Sequence, residues 1–144
     1  MTCRVYVAAS SREMDRARAA MTALRMHGVE VTVDWVAAIE AAGAANEGLS
    51  DEDRQRYARE DLDGVCIADV VWLLMPTTPT AGAYVELGYA LARREVQDDS
   101  DCTRTPIVVS GPGQERCIFA ALADRCVASD AEGLECVLTW AGAR

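Results

Sequence analysis

The sequence predicts an α/β fold: a five-stranded parallel sheet in a three-layer αβα sandwich, with strand order 2-1-3-4-5. Three observations predict it. Short apolar runs alternate with amphipathic stretches along the whole chain, the pattern of repeated strand–helix–strand units with right-handed crossovers. One run, Asp69-Val70-Val71-Trp72-Leu73-Leu74-Met75, is apolar almost throughout, as a strand buried on both faces must be. The 144 residues suffice for one core and contain no internal repeat or linker, so a single domain over residues 1–144 is expected.

Each element follows from local chemistry. Cys3 to Ala9 is rich in β-formers and reads as the first strand. Ser10-Ser11-Arg12 opens a helix running to about His27, with Met14, Ala17, Met21 and Leu24 at helical spacing. Gly28 ends it in the position favoured for a left-handed cap. Val29, Val31, Val33 and Trp35 alternate, which predicts a second strand. Val36 to Leu49 is Ala/Gly-rich and weakly patterned, consistent with a short helix and a mobile loop. Ser50 followed by Asp51-Glu52-Asp53 marks the start of a helix reaching about Ile67. The third strand spans about Val70 to Met75, and a helix follows from about Gly82 to Arg94. Val96 to Arg104 reads as a charged loop and Thr105 to Ser110 as the fourth strand, broken by Gly111-Pro112-Gly113. A helix from Gln114 to Ala123, a short strand from Arg125 to Ala128 and a helix from Asp130 to Trp140 complete the chain. The arrangement is the doubly wound, Rossmann- or flavodoxin-like one.

Composition narrows the function. Hydrophobic residues make up 51% and charged residues 26%, as in an ordinary globule, and the net charge is -9. An acidic balance of that size argues against a nucleic-acid polymer as partner, because duplex binding depends on neutralising phosphates. A small nucleotide needs only a local anion site and stays open. No basic segment followed by an apolar run suggests a signal peptide, and no stretch approaches the ~20 apolar residues of a membrane span. A cytoplasmic protein is expected. The six cysteines are scattered without a CxxC pair, and His27 is the single histidine, so no metal site or cofactor is implied. Chemistry in this chain falls to carboxylates, hydroxyls and backbone groups.

In the 2-1-3 order the first and third strands are neighbours, and open α/β sheets bind ligands at the carboxyl edge where the order reverses. Four places converge there: Tyr6 near the end of the first strand; Ser10, Ser11 and Arg12 just after it; Asp61 on the helix before the third strand; and Thr77 to Glu86 after that strand. Glu86 is expected in the first turn of its helix. Each has a plainer reading. Tyr6 fits a partly buried strand position, and Ser10 or Ser11 fits a helix cap. Glu86 fits a dipole-favoured first turn, and Asp61 a solvated acidic face.

The chain resembles the nucleoside 2-deoxyribosyltransferase superfamily, which includes deoxynucleoside 5'-monophosphate N-glycosidases. The likeness lies in Val5-Tyr6-Val7-Ala8, in Tyr57-Ala58-Arg59-Glu60-Asp61-Leu62-Asp63-Gly64-Val65 followed by Ala68-Asp69-Val70, and above all in Gly82 through Ala90, which contains Glu-Leu-Gly-Tyr-Ala. The resemblance implies that Glu86 is the nucleophile attacking the anomeric carbon, that the Tyr6 hydroxyl orients it, and that Asp61 meets the base and helps protonate it. It further implies substrate contacts from Gly82 and from Thr80, a position that is an acid in the transferases and a phosphate-binding serine in the monophosphate hydrolases. Ser10, Ser11 and Arg12 suit a 5'-phosphate. A neighbouring subunit completes the site in such proteins, so a homo-oligomer is implied, with Asp124 as the approximate match for the contributed residue. A carboxylate there would repel phosphate. On that balance the expected activity is transfer of a 2-deoxyribosyl group between nucleobases. The alternatives are hydrolysis of a (deoxy)nucleoside 5'-monophosphate to free base, or a non-catalytic nucleotide sensor on the same scaffold.

Overall fold

The structure, a computed structural model, describes residues 2–43, 48–98 and 104–142. Its strands are β1 (Arg4–Ala8), β2 (Glu30–Val31), β3 (Val70–Leu74), β4 (Ile107–Ser110) and β5 (Arg125–Val127). Its helices are α1 (Met14–Met26), α2 (Trp35–Ala42), α3 (Asp51–Ile67), α4 (Gly82–Asp98) and α5 (Asp130–Gly142). The strands form one parallel sheet in the order β2-β1-β3-β4-β5, as the alternation of elements predicts.

The core is built around β3, whose five residues are all buried because helices cover both faces. The β1–β3 register sets Tyr6 beside Val71 and Ala8 beside Leu73, so both strands end at the same edge. Two glycines permit the helices to approach. A Cβ at Gly64 of α3 would fall on Val33 Cγ2 and lie 3.0 Å from Tyr6 Cδ2. One at Gly133 of α5 would lie 2.7 Å from Ser110 Cβ and 2.8 Å from Trp72 Nε1. Gly64→Ala should therefore lower stability by about 1–3 kcal/mol through overpacking, even though alanine is the better helix former. A shift of the urea midpoint downward checks this; an unchanged or raised midpoint contradicts it.

Several elements differ from expectation. The second strand pairs only at Glu30 and Val31, and Trp35 opens a helix instead of closing a strand. The reason is Asp34. Its side chain accepts a hydrogen bond from Ala37 N at 2.9 Å, capping α2, and binds Arg25 of α1 at 2.6 Å. α2 ends at Gly43, in left-handed backbone at φ 63. The expected mobile loop within Val36 to Leu49 falls in large part outside the described residues. The first helix begins at Met14, after a single 3₁₀ turn at Ser11–Glu13. The stretch from Gln114 to Ala123 forms two 3₁₀ turns, Gln114–Arg116 and Ile118–Leu122, because Cys117 between them is extended. α4 runs on to Asp98, absorbing the start of the expected charged loop; residues 99–103 of that loop are outside the described residues. Among the described residues no helix is long and apolar enough to cross a membrane.

A polar clamp secures the carboxyl edge of the sheet. Arg16 of α1 donates to Met75 O (2.7 Å), to Ser110 O (3.4 Å), to Glu13 Oε1 (3.1 Å) and to Asp130 at 2.6 and 2.9 Å. Glu13 in turn accepts from the Thr77 amide (3.0 Å) and hydroxyl (2.9 Å). Ser110 Oγ donates to Asp130 and accepts from Trp72 Nε1 at 2.9 Å. The ends of β3 and β4 and the segment leading to α4 are thus tied to the first helix by charge-assisted bonds.

Candidate active site

A cleft of about 480 Å³ opens at the carboxyl edge between β1 and β3, a volume within the range of small-molecule sites. One wall is the segment after β1, with Ser11 and Arg12. A second is α2 and the chain before it, where Val33, Trp35 and Ile39 present apolar surface. The third is one face of α3, where Tyr57, Glu60 and Asp61 stand three and four residues apart. The start of α4, with Thr80, Gly82 and Glu86, closes the inner end. Trp35 is fixed by donation from its indole N–H to Val7 O at 2.9 Å.

Tyr6, Asp61 and Glu86 come together beneath this cleft. Tyr6 is fully buried on β1, so its ring cannot swing away. Burial raises the ionisation of its hydroxyl far above the ordinary value, and the neighbouring charges of Glu86 and Asp61 raise it further, so it stays a neutral donor. Tyr6 Oη and Glu86 Oε2 are both buried without a hydrogen-bond partner. The Tyr6 hydroxyl nonetheless lies near enough to both carboxyls to favour their ionised forms.

The two carboxylates are held in unusual states. Burial pushes the Glu86 carboxyl up to about 8, the charge of Asp61 adds to this, and the Tyr6 hydroxyl partly offsets it. Burial likewise lifts Asp61 to about 6, with Tyr6 opposing and Glu60 reinforcing the rise. Both carboxyls thus ionise above the ordinary carboxylate range, the glutamate at the higher pH of the two. Glu86 does not sit in the first helical turn as expected. α4 begins at Gly82, which places Glu86 in its second turn, where the helix dipole has faded, so desolvation dominates its chemistry. Burial thus favours the protonated form of the glutamate.

The other sequence-selected residues separate into those at the cleft and those elsewhere. Ser10 borders the cleft but is nearly fully buried, and its hydroxyl is committed: it accepts from Arg12 N at 3.2 Å and shares a hydrogen bond with Thr78 Oγ1 at 3.2 Å. It caps the 3₁₀ turn, as the plainer of the two readings has it. Two backbone amides here are committed as well, that of Arg12 to the Ser10 hydroxyl and that of Glu13 to Ser10 O at 2.9 Å. Ser11 and the Arg12 side chain are exposed at the cleft. Asp124 lies away from it, at the opposite edge of the sheet. Its carboxylate accepts from Ile107 N (2.8 Å), Arg94 (3.0 Å) and Arg104 (2.5 Å). Two guanidinium groups neutralise it, so the repulsion of phosphate expected from an open carboxylate has no basis within this subunit.

Tyr57, Glu60, Val33, Trp35 and Ile39 are cleft residues that sequence reasoning did not select. For Tyr57 and Glu60 the signal was present, in their helical spacing from Asp61. For Trp35 and Ile39 it was hidden by a β-like alternation running into an Ala-rich helix.

No protein-family model matches the chain, and no curated protein matches its sequence. Solved structures do match. A conserved protein from Enterococcus faecalis V583 superposes with a TM-score of 0.61 at 17% identity, covering 94% of this chain and 96% of that one. The CMP N-glycosidase BcmB from Clostridium botulinum superposes with a TM-score of 0.56 at 15% identity, covering 95% of this chain and 98% of that one. At these identities the likeness establishes a common fold along nearly the whole length of each pair.

Proposed function

We propose that the protein cleaves the N-glycosidic bond of a nucleoside or nucleoside 5'-monophosphate, with Glu86 as nucleophile and Asp61 as proton donor. The observation that carries this reading is the convergence of two carboxyl groups, both raised by burial, and a buried tyrosine at the inner end of a cleft of suitable size. The shared fold of the CMP N-glycosidase BcmB supports it, as does the match of Tyr6, Asp61 and Glu86 to the superfamily's segments.

The chemistry follows the logic of retaining glycosidases. As the substrate's base settles beside Asp61, a proton passes from Glu86 to Asp61 and leaves Glu86 anionic. The Glu86 carboxylate bonds to C1' while the C1'–N bond breaks, its electron pair going to the base. Asp61 delivers its proton to a ring nitrogen of the departing base. Tyr6, kept neutral, donates to the glutamate oxygen that does not attack. A second acceptor then attacks C1' and releases Glu86, and its proton passes to Asp61.

Water as that acceptor gives hydrolysis, and a second base gives the glycosyl transfer implied by the resemblance. With the Asp124 carboxylate paired to Arg94 and Arg104, hydrolysis of a 5'-monophosphate becomes the better supported fate. Arg12 stands at the cleft and enters none of the ion pairs among the described residues. In the same reading a second copy of the chain covers the apolar surface offered by Val85, Ile118, Phe119 and Leu122.

Incubation with deoxynucleosides, ribonucleosides and their 5'-monophosphates, with and without an added acceptor base, tests the proposal by product mass. Free base and sugar phosphate are expected, and no base release from any of them would refute it. Arg12→Ala should reduce kcat/KM for monophosphates about 10- to 100-fold while changing nucleosides less than threefold. Equal losses on both would remove the phosphate contact.

A further inference from the structure

The cleft is chemically lopsided. Its α2 side is apolar: Val33, Ile39 and a Trp35 whose only donor is already bonded to Val7 O. A base lying in the cleft must therefore have its polar edge read by α3. That helix offers Asp61 at the inner end and Glu60, one residue earlier, which is exposed and borders the same cleft. Glu60 is only loosely engaged, its nearest cation being Arg56 at 3.9 Å, and Arg56 lies over the Tyr57 ring at 5.0 Å. In the cleavage reading the sugar's reacting carbon lies against Glu86, at the inner end of the cleft. Asp61 then lies close to the scissile bond and Glu60 farther along the base.

We propose that Glu60 is a specificity residue that selects aminated nucleobases: cytosine over uracil and adenine over hypoxanthine. The inference rests on the cleavage reading for its chemistry, and on the placement of Glu60 and Asp61 for its recognition. Cytosine and adenine present a ring nitrogen that accepts a proton beside an exocyclic amine that donates. Asp61 serves the ring nitrogen and anionic Glu60 accepts from the amine. Once the ring nitrogen takes the Asp61 proton, the positive charge spreads onto the amine, where Glu60 stabilises it as the C1'–N electron pair enters the ring. Uracil and hypoxanthine offer the opposite pattern, a carbonyl oxygen where the amine would be, and that oxygen would face a carboxylate with no donor between them.

Cleavage and binding together test this. With cytidine and uridine 5'-monophosphates, the wild-type protein should favour cytidine at least tenfold in kcat/KM. Glu60→Gln, which removes the charge at constant shape, should bring the ratio within threefold, chiefly by slowing the cytidine substrate. Glu60→Asp should restore part of the preference. Calorimetric binding of the same nucleotides, and of the adenosine and inosine pair, to Glu86→Gln protein gives a readout independent of turnover. Preferential binding of the aminated member, lost in the double variant with Glu60→Gln, supports the inference even if no base is ever released, in which case only the cleavage reading falls. Equal binding of both members, no binding of either, or equal losses for both in Glu60→Gln overturn it.

Discussion

Glu86→Gln should reduce base release by about 10³-fold or more while making the protein more stable at alkaline pH. The first effect follows from the loss of the carboxylate proposed to bond to C1'. The second follows from burial. The folded-state value of the Glu86 carboxyl, about 8, lies above its ordinary 4.5, so the folded protein binds this proton more tightly than the unfolded chain. Stability contributed by the group is therefore present at low pH, declines between about pH 4.5 and 8, and is flat above that. Glutamine cannot ionise and escapes the loss. The variant should match the wild type in melting temperature near pH 5 and exceed it at pH 9. A variant with intact turnover, or a melting difference independent of pH, would contradict the assignment. Wild-type kcat/KM should in turn be bell-shaped, with limbs near 6 and 8, because only the singly protonated pair has both an acid and a route to an anionic nucleophile.

Arg16→Met should cost about 2–4 kcal/mol, the largest stability effect expected of any single polar side chain here. The guanidinium joins two carbonyls and two carboxylates, and Asp130 depends on it. Burial works against the Asp130 carboxylate, but hydrogen bonds from Arg16 and Ser110 outweigh burial and hold it below the usual range. Removing Arg16 leaves that charge with a single hydroxyl donor. Because the depressed value stabilises the fold above the ordinary carboxylate value of 3.8 and the benefit fades as pH falls below it, the penalty should be fully present at pH 7 and shrink in acid. Urea unfolding at pH 7 and in acid measures this, and a penalty of the same size at both would show that packing, not charge, explains Arg16.

The fold was legible because its determinants are local. The Val70–Leu74 run identifies the central strand without reference to anything else, and Ser50 before three acids identifies the start of α3. The second strand was misread where one side chain overrode a periodicity: Val31, Val33 and Trp35 alternate perfectly, but the Asp34 cap turns the backbone into a helix after two paired residues. The site was legible in its carboxylates, because helix spacing and strand order place Asp61 and Glu86 at one edge. Their protonation was not, since it depends on how deeply each is buried, and burial is a property of the packed molecule. Asp124 shows the same limit, because its two arginine partners lie 20 and 30 positions away in sequence.

The bonds from Glu13 to the amide and hydroxyl of Thr77 have a consequence for how the cleft meets its ligand. A connector leading into a helix that lines a ligand cleft would ordinarily lose much of its freedom only when a guest arrives. Here that entropy is surrendered during folding, so the rail carrying Glu86 stands ready before any encounter, and more of the gross affinity is left for discrimination among guests.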